Sequence, residues 1–394
     1  MGLEMNRRTF LGGLAAAGIT ARAATPAAPT APVAVAQCKS YADSLPTMEK
    51  LMDQIGGLGR LVRNKTVVIK INFTGGPSTR LGYLPQSRSY WTNPQQVGAM
   101  IRLLDRAGAR RIRVAEGCDV PPGSLEEWMY QASWDVRALK NAAPRVEFFN
   151  TNIAYPGGKP YTRFKVPNGG HLFPAYDLNT VFDECDVLIS MTKMKEHTTA
   201  GVTISMKNLF GMTPNTIYGN GAGVDEPLAF PKGGRQEILH GGRRQPPKSA
   251  LPEIDPKSPR QDTYRIPRCV ADINAARPLH LAVIDGIETM AGGEGPWSPG
   301  ARPCGPGIMF AGTNAVTVDA VGMALMGFDP MADRGTAPFE RCDSLLRLGE
   351  DLGVGTRDLK RIEVIGTPIT QARFDFRAVP GGVPPGGRRQ AGRG

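Results

Sequence analysis

From Thr66 onward, apolar runs of strand length alternate with stretches of helical length, and this alternation constrains the fold more than any other feature of the chain. Thr66-Val67-Val68-Ile69-Lys70-Ile71 reads as a strand. Pro94 to Ala107 reads as a helix opened by Asn93-Pro94 and closed by Gly108, since Asn caps a first turn, Pro suits the position after it, and Gly permits the stop. Arg111-Ile112-Arg113-Val114-Ala115 is the next strand, and a strand, helix and strand at this spacing make a parallel pair with a right-handed crossover. Further strands are expected at 145–149, 186–191, 279–284, 307–311 and 361–365, with helices at 126–140, 203–210, 267–276, 314–326 and 340–349. The expected fold is α/β: a doubly wound, mostly parallel sheet with helices on both faces.

Two stretches interrupt the alternation. Residues 212–265 combine Pro, Gly and charge with little periodicity and read as a long loop insertion, a kind of segment that is usually functional or mobile. Residues 378–394 are Gly- and Pro-rich and read as a disordered tail. There is no internal repeat, so residues 61–377 are expected to form one α/β domain, preceded at 25–60 by a spacer and N-terminal extension.

Residues 1–24 are expected to be a leader. Asn6-Arg7-Arg8-Thr9-Phe10-Leu11 precedes the small apolar stretch Gly12 to Thr20 and then Ala21-Arg22-Ala23, an order of charge, apolar segment and small-residue cleavage site. The paired arginines resemble the twin-arginine export motif, while Gly12, Gly13 and Gly18 would break a basic N-terminal helix. This implies the twin-arginine translocase as a transport partner and a periplasmic or extracytoplasmic location. Past the leader no uncharged apolar run reaches the roughly 18 residues that span a bilayer, so no transmembrane segment is expected in the mature chain.

The formal charge of +11 raises the question of nucleic acid, and its distribution answers it. Without residues 1–23 the charge is +9; segment 231–268, with nine Lys/Arg and four acids, carries +5, and Arg388, Arg389 and Arg393 add +3. The remainder is close to neutral, and no basic groove interleaved with aromatics is visible, so no nucleic-acid partner is expected. The six cysteines are far apart with no C-x-x-C, so no ferredoxin-type iron-sulfur cluster or zinc ribbon is expected, and at most one disulfide. Cys185 and Cys269 read as small core residues.

In open α/β sheets ligands bind beyond the carboxyl ends of the strands near a switch in strand order. There the chain delivers Lys70 and Asn72, Glu116 and Gly117, Thr192, Lys193, Lys195 and His197, Asp285 and Glu288, Thr313 and Asn314, with Asp319 on the following helix. The densest stretch runs from Met191 to Gly211. Lys193 and Lys195 alternate and share a side if the strand continues, while Thr203 and Lys207 share a helix face, a set that suits a phosphate or carboxylate together with the helix N-terminus. Spacing alone serves a solvated basic edge equally well. His197, one of four histidines, could be a structural residue, or, with Glu116, Asp285 and Asp319, complete an N/O site for a divalent metal. Dinucleotide, Walker and serine-hydrolase signatures are absent.

The combination Val68-Ile69-Lys70-Ile71-Asn72, Thr92-Asn93-Pro94, Ala107-Gly108-Ala109, Lys193-x-Lys195-x-His197, Lys207-Asn208-Leu209-Phe210-Gly211, Ile284-Asp285-Gly286, Gly295-Pro296, Val318-Asp319-Ala320 and Gly327-Phe328-Asp329-Pro330, in that order, resembles the domain-of-unknown-function 362 family over about residues 65 to 330. The resemblance implies an α/β domain, fused in some members to a ferredoxin-like module that this cysteine-poor chain lacks. It implies no catalytic residues.

Two classes of function follow. In the first, an exported enzyme acts on an anionic small molecule with a bound metal or cofactor. His197, Lys193, Lys195 and Asp285 are then its catalytic candidates, and Lys70, Asn72, Thr203, Lys207 and Asn208 hold the ligand or cofactor. In the second, the same lysines capture an anionic ligand or partner without turnover.

Overall fold

The computed structural model describes residues 27–118, 123–153, 160–230 and 232–380. The expected leader and all but the first three residues of the expected tail lie outside these residues. The chain runs β1 (Val33–Gln37), α1 (Ser44–Gln54), β2 (Thr66–Lys70), α2 (Pro94–Arg106), β3 (Arg111–Glu116), β4 (Val146–Asn150), β5 (Val187–Lys193), α3 (Ser205–Asn208), α4 (Asp262–Ala276), β6 (Leu281–Gly286), β7 (Ile308–Gly312), α5 (Ala315–Leu325), α6 (Leu345–Asp351) and β8 (Val364–Gly366). The eight strands form one sheet in the order β8-β1-β7-β6-β5-β2-β3-β4. It is parallel except at β7, which runs antiparallel to both β1 and β6.

Alternation within the strands splits the core in two. In β2, Val67 and Ile69 face one side and Val68 the other, as a side-chain period of two requires. The Val67 side packs against α1 and α2 through Met48, Leu51, Val97 and Leu104; the Val68 side packs against α4, α5 and α6 through Ile266, Val270, Val316 and Leu345. Helix α2 starts where its caps place it: the Asn93 side chain accepts the Gln95 N–H at 2.9 Å, Pro94 follows, and Gly108 adopts φ +84° just past the end.

The structure revises several boundaries. Within 25–60, expected as a spacer and N-terminal extension, residues 27–60 supply β1, an interior strand of the sheet, and α1. Ala34 and Val35 are small, apolar and fully buried, a short run without a periodic flank that composition alone assigns to a linker. The helix expected at 126–140 is two, Leu125–Gln131 and Val136–Lys140, separated at Ser133, whose φ is +61°. The insertion 212–265 is irregular but packed. Its Glu253 carboxylate is fully buried between Arg265, at 2.8 Å, and Arg260, so part of the charge of segment 231–268 holds the insertion together. All six cysteines are free thiols. Among the described residues no helix is long and apolar enough to cross a membrane.

Candidate functional site

The chain runs outward from β2 through β3 to β4, then returns to place β5 on the other side of β2, so strand order reverses between β2 and β5. A cleft of about 480 Å³ opens beyond the carboxyl ends of these strands. Part of its lining traces to strand ends. Asn72 and Phe73 follow β2; Glu116 and Gly117 end β3; Lys195 and His197 follow β5 on a short hairpin of Lys195–His197 with Gly201–Thr203.

Beneath the cleft lies a continuous buried polar network. Lys70 Nζ contacts Glu116 Oε1 at 2.8 Å, and the Glu116 carboxylate also accepts the Phe73 and Gly117 N–H groups, each at 2.8 Å. The Asn208 amide donates to Lys70 O at 3.1 Å and Ser190 Oγ at 3.0 Å, and its oxygen accepts from Asn72 Nδ2 at 3.2 Å. Asn72 Oδ1 accepts in turn from Lys195 Nζ at 3.3 Å. Buried polar groups are tolerated when paired in this way, and each pair fixes its neighbour's orientation. Gly211 belongs to the same geometry: a Cβ there would stand 2.8 Å from Lys70 Nζ.

The upper walls are cationic and aromatic. Lys207 Nζ lies 4.4 Å from the centre of the Phe210 ring and the Arg235 guanidinium 5.8 Å from it, while the His240 ring meets Phe210 edge-on. Burial, reinforced by Lys207 and Arg235, lowers the His240 ring to about 3, and burial with Lys207 holds His197 well below its ordinary value. Both imidazoles are therefore neutral at neutral pH. His197 Nδ1 accepts the Thr199 N–H at 3.2 Å, which leaves the ring proton on Nε2. The Lys195 amine is lowered to about 7 by burial. On the opposite rim, Glu294 accepts the Thr198 N–H and hydroxyl at 3.0 Å each and the Trp297 Nε1–H at 2.8 Å. Burial resists its ionisation, but the carboxyl is held low, with the Thr198 and Trp297 donors favouring the ionised form.

Of the residues singled out in the sequence, Asn72, Glu116, Lys195, His197, Thr203, Lys207 and Asn208 line the cleft, and Lys70 lies in the network under it. Lys193 and Asp285 do not line it. The strand ends at Lys193, so Lys193 and Lys195 do not share a side: Lys193 Nζ bonds Asp285 Oδ2 at 2.6 Å, the Tyr41 hydroxyl at 2.7 Å and Glu288 O at 2.7 Å, whereas Lys195 reaches Tyr90 O at 2.7 Å. Asp319 is also elsewhere. It caps α3 from below, accepting the Ser205 and Met206 N–H groups at 2.8 and 3.0 Å, and burial raises its carboxyl to about 7. This arrangement corrects two expectations. The N–H groups assigned to an anion at this helix start are already taken by Asp319, and the start itself is Ser205, so Thr203 ends a strand instead of sharing the helix with Lys207. The metal set His197, Glu116, Asp285 and Asp319 does not converge; among the described residues no three His, Cys, Asp or Glu side chains are grouped to hold a metal ion.

The sequence reading did not single out Arg235, His240, Glu294 and Trp297 as site residues. Arg235 and His240 come from the 212–265 insertion, whose length was the available signal; Glu294 and Trp297 come from the Gly292–Pro296 loop and its continuation.

No curated protein matches the chain. Two solved structures are similar at low level. One is the lactate racemase apoprotein from Thermoanaerobacterium thermosaccharolyticum, with 13% identity, 66% of this chain and 50% of that chain covered, and a TM-score of 0.35. The other is a protein from Thermotoga maritima, with 12% identity, 65% and 52% covered, and a TM-score of 0.34. The chain spans about half the length of each. Similarity at this level says nothing about activity. The family described as Domain of unknown function (DUF362) matches residues 67–324, which include β2, β3, β5 and every cleft wall described above. The chain therefore belongs to the DUF362 family.

Proposed function

We propose that the cleft binds an anionic small molecule and that the protein is an enzyme acting on it. The observation that carries this reading is the convergence of Lys195, Lys207 and Arg235 with two neutral imidazoles on one cleft of about 480 Å³. Three carboxylates share the lining: Glu116 is bound by Lys70 and two N–H groups, Glu294 by three donors, and Asp262 accepts the Thr263 N–H. Cationic side chains gathered on one concave site concentrate anions. The Lys195 amine, near 7, supplies a group able to exchange protons at neutral pH, which favours turnover over capture alone. Lys207 and Arg235 take the anion, Lys195 carries the proton chemistry, His197 offers its Nε2–H as a hydrogen-bond donor, and Lys70, Asn72 and Asn208 hold the floor.

A divalent metal held by side chains alone does not fit, because Glu116, Asp285 and Asp319 are each occupied by protein donors. A cofactor carried in the cleft would be anionic and held by the same cations. Export on the twin-arginine route belongs to the proposal through Arg7 and Arg8, and replacing both by Lys is expected to retain the protein in the cytoplasm.

Calorimetric titration with inorganic phosphate, pyrophosphate and citrate tests the binding. Saturable binding that weakens in Lys207→Ala is expected; no binding of any of the three would sink the reading. Metal content and the absorption spectrum of protein taken from its native compartment report a resident cofactor.

A further inference from the structure

Three lysines are buried at the strand ends of this sheet, and two of them face a carboxylate. Lys70 Nζ lies 2.8 Å from Glu116 and Lys193 Nζ 2.6 Å from Asp285. Lys195 is equally buried, lines the cleft, and among the described residues has no carboxylate within ion-pair reach. Its Nζ has two acceptors, Tyr90 O at 2.7 Å and Asn72 Oδ1 at 3.3 Å. Two acceptors match the two N–H bonds of an uncharged amine and leave its lone pair without a protein partner. Burial lowers this amine first, Lys207 and Lys193 lower it further, and Glu294 opposes them. Lysines are activated as nucleophiles by this combination of desolvation and neighbouring cations.

We propose that Lys195 forms a Schiff base with the carbonyl group of an anionic aldehyde or 2-oxo acid bound in the cleft. The proposal rests on the anion-binding reading above and adds a covalent step. The Nζ lone pair attacks the carbonyl carbon, and the C=O π pair moves to oxygen. A proton passes from nitrogen to that oxygen, giving a carbinolamine. The nitrogen lone pair then expels the hydroxyl, which leaves as water after taking a further proton, and an iminium remains. His197 and the Thr203 hydroxyl line the same cleft, and water in it carries these protons. Lys207 and Arg235 take the phosphate or carboxylate of the ligand.

The test uses pyridoxal 5′-phosphate, an aldehyde that carries a phosphate, on the full-length mature protein, followed by borohydride reduction and peptide mapping by mass spectrometry. The expected result is one equivalent of reduced adduct on Lys195, suppressed by excess inorganic phosphate. Lys195→Arg, which keeps charge and length, should abolish it. Adduct only on exposed lysines such as Lys39 and Lys50, with phosphate still bound, would overturn the covalent step and leave the anion site standing. Absence of both adduct and phosphate binding would overturn the cleft reading as well.

Discussion

Lys193 Nζ and Asp285 Oδ2 meet at 2.6 Å in a fully buried pair beside the Tyr41 hydroxyl, at strand ends adjacent to the cleft but outside its lining. The pair ties β5 to β6 and anchors the Tyr41 turn ahead of α1. Removing one partner of such a pair strands a buried charge, at a cost of about 3–5 kcal/mol. Lys193→Met is expected to lower the unfolding free energy from urea titration by that amount, and Lys193→Met with Asp285→Leu to recover part of it. Phosphate affinity of any variant that stays folded should match the wild type; a loss would move Lys193 into the site.

Lys207 and Arg235 share the Phe210 ring, so their charges reach the ligand from one wall. A hydrogen bond to a charged group contributes about 1.5–3 kcal/mol, which corresponds to roughly a 10- to 150-fold weaker phosphate affinity for Lys207→Ala. Calorimetry measures it directly, and the wild-type affinity should itself fall with added salt.

His240 provides a pH test. Burial, with Lys207 and Arg235, lowers the ring to about 3, whereas in the unfolded chain it titrates near about 6.5. Between these values the unfolded chain binds a proton that the folded protein refuses, so folding stability declines as pH falls from about 6.5 toward about 3. The contribution is at most about 1.4 kcal/mol per pH unit. Urea midpoints measured at about pH 7 and about pH 5 should therefore diverge less in His240→Gln than in the wild type.

Gly117 ends the β3 wall where the chain leaves no room. A Cβ there would lie 2.7 Å from Gly211 O and 3.2 Å from both Arg235 Nη2 and Thr151 Oγ1. Gly117→Ala is expected to cost about 1–3 kcal/mol by overpacking, and to weaken phosphate binding because Arg235 is displaced with the backbone. Thermal unfolding and the phosphate titration check the two effects separately.

The layered fold and the end of the sheet where the cleft opens are legible in the sequence. The β2-α2-β3 spacing, the Asn93-Pro94 and Gly108 punctuation, and the apolar runs at β5, β6 and β7 are local signals, and local signals survive folding unchanged. The lysines, Asn72, Glu116 and His197 follow from the same rule, since residues just past a strand lie at its carboxyl end. Which of these polar residues face the cleft and which face each other depends on tertiary contacts. Lys193 and Lys195 are two residues apart and look equivalent, yet one is paired with Asp285 and the other is not, because β5 stops between them. Asp319 reads as a ligand until α3 packs over it and takes both its oxygens. The interior position of β1 and the delivery of Arg235 and His240 from the insertion depend on contacts between residues far apart in the chain, and no local pattern encodes such pairings.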